Sequence, residues 1–142
     1  MDILIKTVIV AGMAVFELWA AIPAGFVFGL PPFLIGAASI VGGIATVIIV
    51  TTIGGKIRRR ILSKREKKDK QHGTLYEIWN KYGIIGLGLL APLLTGVLIG
   101  STIAVSLDAP KKSTLTWLSL GVIGWTIFLV TLAALGIDFI FH

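Results

Sequence analysis

Cysteine does not occur among the 142 residues, and histidine occurs only as His72 and His142. Disulfides and thiolate metal sites are thereby excluded, and a histidine-built metal cluster is not expected. Charge is scarce as well: 14% of residues are charged against 56% apolar, and mean hydropathy is +0.95. Too little polar surface remains for water to wet a globule of this length. No Ser/His/Asp set and no phosphate-binding glycine loop is present, so neither an enzyme nor a cofactor is expected.

What the sequence has instead is long apolar runs. Four stretches are nearly free of charge: Ile3 to Leu30, interrupted by Lys6 and Glu17, then Phe33 to Gly55, Gly83 to Leu107, and Leu115 to Ile137. Each exceeds the roughly 18 apolar residues that mark a bilayer-crossing candidate. One such run could be a cleaved leader, but four cannot, and the first carries Glu17 and lacks a basic flank. The expectation is an all-α integral membrane protein, with the lipid bilayer as its main partner and no room for a soluble catalytic domain.

The formal net charge of +6 does not point to nucleic acid. Nine of the thirteen basic residues fall between Lys56 and Lys70, in the one long polar stretch. Lys and Arg beside membrane segments collect on the cytoplasmic side, so residues 56–82 are expected to form a basic cytoplasmic loop. Arg58, Arg59, Arg60, Lys64 and Arg65 are its candidates for contact with anionic lipid headgroups. At the loop's end, Leu75, Ile78, Trp79 and Tyr82 recur at helical spacing opposite Glu77, Asn80 and Lys81. This pattern predicts a short amphipathic helix with Trp79 at headgroup level, or one packed on a partner subunit.

The loop divides the chain into halves that resemble each other: a first membrane unit, 1–55, and a second, 83–142. In each, a segment broken by Pro and Gly (3–30 and 83–107) precedes a turn with proline and an unbroken helix (33–55 and 114–137). The breaks sit at Pro23 and Gly25 in one half and at Pro92, Thr95 and Gly96 in the other. Proline removes an amide donor and clashes with the preceding turn, while glycine accepts unusual torsions. Broken backbone at membrane depth is tolerated only against protein or a water-filled cavity, so such breaks point to a site. A kinked helix packed through Gly25/Gly29 and Gly96/Gly100 is the plainer reading.

Charge also bears on topology. If all four segments span, Lys111 and Lys112 fall outside; if the broken segments dip in and return as re-entrant hairpins, twelve of the thirteen basic residues lie inside. Length agrees, because residues 3–30 as one helix would reach about 42 Å, well beyond a core of about 30 Å. The expected fold is therefore two inverted repeats, each a re-entrant helical hairpin plus one transmembrane helix.

These residues carry a family resemblance. Glu17-Leu-Trp19-Ala-Ala-Ile-Pro23 followed by Gly25 resembles the Glu-Leu-Arg-Gly-Ala-Ile-Pro motif of the small multidrug export proteins. Tyr82-Gly83-Ile-Ile-Gly86-Leu87, then Ala91-Pro92-Leu93 and Thr95-Gly96 with Gly100, resembles that family's second block, and Leu120-Gly121-Val122 its final helix. Trp19 stands where the family pattern has Arg, and Leu94 stands near a family Pro-Gly. The resemblance implies a multi-pass protein of a bacterial or archaeal inner membrane. It also implies a distant similarity to the DedA (SNARE-associated) superfamily, with its re-entrant hairpins and its movement of lipids or ions.

One ionisable residue is clearly at membrane depth. Asp138 is near enough to the C-terminus to reach the interface, but Glu17 is not near an end of its segment, and with Trp19 in place of Arg no charge partner is visible. A carboxylate there faces a cavity, finds a partner or takes up a proton. Glu17 is accordingly the candidate coupling or substrate-contacting group, at a hairpin tip with Pro23 and Gly25; a structural acid bonded to amides freed by Pro23 is the alternative. Thr95, Ser101 and Thr102, with the carbonyls around Pro92, are candidate ligands opposite it, although such hydroxyls commonly bond their own helix. Trp117 and Trp125 read as interface or packing residues. The function expected is a small transporter, proton- or cation-coupled, moving a small molecule, ion or lipid. Four segments make a thin wall, so a homodimer or larger homo-oligomer is expected. The alternative is a non-transporting membrane interaction or assembly protein.

Overall fold

Runs of Ile, Val, Leu and Ala interrupted by Gly and Pro form helices throughout. The computed structural model describes residues 2–62, 74–107 and 109–141, and among these there are six helices and no strand. They are α1 (Ile3–Phe16), α2 (Leu18–Val27), α3 (Pro32–Leu62), α4 (Thr74–Leu94), α5 (Gly96–Ser106) and α6 (Lys111–Phe141). Two contain stretches long and apolar enough to cross a bilayer, Pro32–Ile57 and Lys111–Gly136, each of 26 residues. Helix α3 continues past the expected end at Gly55 into the basic segment, where Lys and Arg are themselves good helix formers. Helix α4 is non-helical at Gly83 (φ 63°, ψ −151°), which divides its first turns from the apolar remainder.

The two halves follow one plan. Lys111 follows Pro32 by 79 positions, and Phe141 follows Leu62 by the same 79, so both long helices have 31 residues. The turns before them agree bond for bond. Phe28 N–H donates to the Ala24 carbonyl and Leu107 N–H to that of Ile103, both at 2.9 Å. Leu30 N–H reaches back to the Gly25 carbonyl at 3.1 Å, and Ala109 N–H to that of Ala104 at 3.0 Å. Ile35 bonds Pro31, and Thr114 bonds Pro110, as each long helix begins after a proline. Every one of these pairs keeps the same offset.

Packing repeats the plan. α1 lies chiefly on α3, α4 chiefly on α6, and α3 against α6 in the middle. Close approach depends on absent side chains. A Cβ on Gly42 would collide with the Ala11 carbonyl, and one on Gly121 with the Gly88 carbonyl. Small residues at helix contacts are how helices associate where burying apolar surface brings little gain. The core runs through Val10, Leu18, Ile35, Leu87, Leu118 and Val122, all fully buried. The outside is as apolar as the inside: Leu4, Val27, Phe33, Ile48, Ile127 and Leu135 are all at least half exposed.

At one end of the molecule, the last turns of α3 and the first turn of α6 border a common cavity, lined by Lys56, Arg59 and Lys111 among others.

Candidate functional site

The first broken segment does not break at its proline. Pro23 sits exposed inside α2, and the interruption is six residues earlier, at Glu17, whose backbone is extended (φ −155°, ψ 125°) between α1 and α2. Glu17 N–H still donates to the Met13 carbonyl at 2.9 Å, and its own carbonyl accepts from Ala21 N–H at 3.2 Å. The helix end nevertheless leaves carbonyls without an intrahelical donor. One is taken up from α3: the Thr46 hydroxyl lies 3.0 Å from the Val15 carbonyl and 2.9 Å from that of Gly42.

The second segment breaks at Thr95 (φ −132°, ψ −3°) and Gly96, three residues after Pro92. Gly96 has φ +83°, a conformation that L side chains rarely adopt. Here other helices donate to two carbonyls before the break, of which that of Leu93 lies in the last turn and lacks an intrahelical donor. Trp125 Nε1 of α6 donates to the Leu89 carbonyl, and Trp19 Nε1 of α2 donates to that of Leu93 at 2.8 Å.

The two breaks meet. A Cβ on Gly96 would stand 3.2 Å from the Phe16 carbonyl, so the peptide joining Phe16 to Glu17 lies against the α-carbon of Gly96. Trp19 ties α2 to the same end of α4 through its bond to Leu93. Glu17, Thr95 and Gly96 are thus gathered around one point, with Glu17 exposed at it, Thr95 partly buried and Gly96 buried.

The remaining candidates play other parts. Gly25 is a packing position, since a Cβ there would sit 2.7 Å from Ile35 Cγ1. Pro92 is buried, with its Cγ 3.3 Å from where a Gly121 Cβ would be. The three hydroxyls expected as ligands all donate to their own helices: Thr95 to Ala91 (3.3 Å), Ser101 to Val97 (2.7 Å) and Thr102 to Leu98 (2.7 Å). Each keeps lone pairs but has committed its proton. Arg59 and Arg60 are exposed near the end of α3. Lys64 and Arg65 lie outside the described residues, as do the side chains of Arg58, Trp79 and Asp138. Among the described residues, no three His, Asp or Glu side chains gather as a metal would require.

Sequence reasoning missed Trp19 and Thr46 as the groups that hold the breaks, and Trp125 as a donor to α4. The signal was available in principle, because an indole N–H in an apolar chain needs an acceptor and a broken helix supplies free carbonyls. Trp19 had been read as the loss of a charge partner for Glu17; its N–H instead ties the first segment to the second.

No curated protein and no solved structure matches the chain, and the expected likeness to the DedA superfamily finds no support in these comparisons. A family model does match, described as "Putative small multi-drug export protein", over residues 17–128. The match opens on Glu17 itself and runs through both breaks into α6. The family's name points to export across a membrane, and the two long apolar helices agree with a membrane location. With most of its length matched, the chain belongs to this family of small multi-drug export proteins.

Proposed function

We propose that the protein is a small membrane transporter whose translocation site is the junction of the two helix breaks. Each half would be one re-entrant hairpin (α1–α2, and the apolar part of α4 with α5) plus one transmembrane helix (α3, α6), and the halves would be inverted with respect to each other. The meeting of the Phe16–Glu17 peptide with Gly96 carries this reading, because two broken helices joined at one point are where polar backbone becomes available to a solute.

Three further observations support it. Helices α1, α2 and α5 have 14, 10 and 11 residues. At about 1.5 Å per residue none reaches across a core of about 30 Å. The basic end of α3 and the Lys111 end of α6 share one cavity, which agrees with a topology in which twelve of the thirteen basic residues, Lys111 and Lys112 included, are cytoplasmic. Large apolar side chains cover the outer surface, as lipid contact requires.

Glu17 is the proposed coupling or substrate-contacting carboxylate. It is exposed on the single chain. A carboxylate at membrane depth needs a cavity or a second surface against it, which supports a homodimer or larger assembly. The protein is purified, reconstituted in proteoliposomes and tested with protons, hydrophobic cations and a labelled anionic lipid. Movement of one class should fall by about tenfold or more in Glu17→Gln, the loss of one charge-assisted contact. Transport with unchanged rate and pH dependence in Glu17→Gln would remove the coupling role. No movement of any of the three would favour a non-transporting interaction or assembly protein instead.

A further inference from the structure

The cavity between the last turns of α3 and the first turn of α6 lies among cations. Its volume is about 400 Å³, within the range of small-molecule sites. Lys56 and Arg59 border it from α3, and Lys111 from α6; the described lining holds three cations and no carboxylate. Three like charges around one hollow repel one another and gain by sharing an anion.

The backbone adds donors of the same sense. Pro110 and Lys111 line the cavity where α6 begins, and Thr114 N–H is the first in that helix to bond back, to the Pro110 carbonyl. The N–H groups of Lys111, Lys112 and Ser113 precede it and have no intrahelical acceptor, at the positive end of a 31-residue helix. The hydroxyls of Thr51 and Thr114 give their protons to helix carbonyls, so the wall's remaining donors are the Thr52 hydroxyl, the cationic side chains and the helix-end amides.

The repeated plan supplies a control within the molecule. Seventy-nine positions before Lys111 and Thr114 stand Pro32 and Ile35, and 79 after Lys56 stands Leu135. The position 79 after Arg59 is Asp138, so at the corresponding positions the other half carries none of these cations and one residue of opposite charge. The scaffold recurs without the cations, so they are not a requirement of the fold.

We propose that this cavity binds a phosphate-bearing anion, held by Arg59, Lys56 and Lys111 with the first amides of α6. The group is either the headgroup of an anionic lipid or a free phosphate ester, and the site stands whether or not the junction of breaks transports anything. The test uses full-length protein in detergent, with inorganic phosphate in one arm and short-chain phosphatidic acid in the other, followed by calorimetric titration and thermal shift at low and high salt. Binding of both identifies phosphate itself as the ligand, binding of phosphatidic acid alone a lipid headgroup, and binding of phosphate alone a soluble anion. In each case Arg59→Ala and Lys111→Ala should weaken binding by about tenfold or more, the loss of one charge-assisted contact. Lys112→Ala removes an equal charge from a residue outside the lining and should change it little, while Lys111→Arg should retain it. Binding of neither probe, or equal loss in Lys112→Ala and Lys111→Ala, would overturn the site.

Discussion

The first and second halves of the chain share a scaffold and divide the chemistry. Their long helices have the same length and start after a proline, and the turns before them repeat three hydrogen bonds at one offset. Yet the first half brings a carboxylate to its break, Glu17, where the second brings Thr95 and Gly96. The second half brings Lys111 to the polar end, where the first has Pro32. Even the breaks are sustained by different donors, a threonine hydroxyl at one and the Trp19 indole at the other. What the halves have in common is therefore what folding needs, and what differs is where function is to be sought.

The sharpest way to test the shared part is at its two closest contacts. Gly42→Ala and Gly121→Ala each drive a methyl into a backbone carbonyl of the facing helix, which cannot move as a side-chain tip does. Each should cost about 3 kcal/mol, at the upper end for overpacking, and the two losses should be alike. Gly36→Ala, with nothing within 4 Å of the added carbon, is the control and should be near neutral. Melting of the purified variants in detergent decides the matter; a large loss at only one of the two would show that the halves do not pack equivalently.

A smaller effect distinguishes the junction from ordinary turns. Gly96 and Gly29 both have positive φ, at +83° and +71°, but only Gly96 has a backbone atom of the other break beside it. Alanine at either should cost about 1–2 kcal/mol for the left-handed conformation. Gly96→Ala should in addition push Phe16 and Glu17 away and reduce transport severalfold, while Gly29→Ala leaves transport intact. Equal transport in the two variants would detach the junction from function.

The contrast also shows how far local sequence reaches. Apolar runs without charge gave away both long helices, and the Pro and Gly clusters gave away that the other segments are interrupted. The second point of interruption was legible at Thr95 and Gly96, but the first, expected at Pro23 and Gly25, was not. Pro23 lies within α2 and Pro92 within α4, and neither is the break. A proline deletes one donor and strains one turn, which a helix held by its neighbours can absorb. The breaks fall at Glu17 and Thr95, where Thr46 and Trp19 from other helices take up freed carbonyls, while Trp125 adds a donor to α4 at Leu89. Such contacts join residues 31 to 74 positions apart, and no window of sequence contains them.

Those indoles provide the next comparison. Trp19→Phe keeps most of the ring and removes only the donor to Leu93, and Trp125→Phe does the same for Leu89. Each should cost about 1 kcal/mol for the lost bond, and Trp19→Phe leaves the Leu93 carbonyl at the helix end unpaired. Because Trp19, unlike Trp125, joins the two segments, its loss should lower transport as well, whereas Trp125→Phe should lower only the melting temperature. The reverse pattern would place the working contact in the second half.

The smallest expected effect concerns two hydroxyls that the scaffold buries and leaves unbonded, Ser39 on α3 and Thr126 on α6, both with no exposed surface. A buried hydroxyl without a partner loses its hydration for nothing in return, at about 1–3 kcal/mol, so replacing it with an apolar group of like shape should be neutral or mildly stabilising. Ser39→Ala and Thr126→Val are therefore expected to melt at or slightly above the parent temperature. If either instead lowers transport while leaving stability unchanged, that hydroxyl meets a solute or a water during the cycle. A polar pathway would then extend from the junction of breaks toward the helix that carries it.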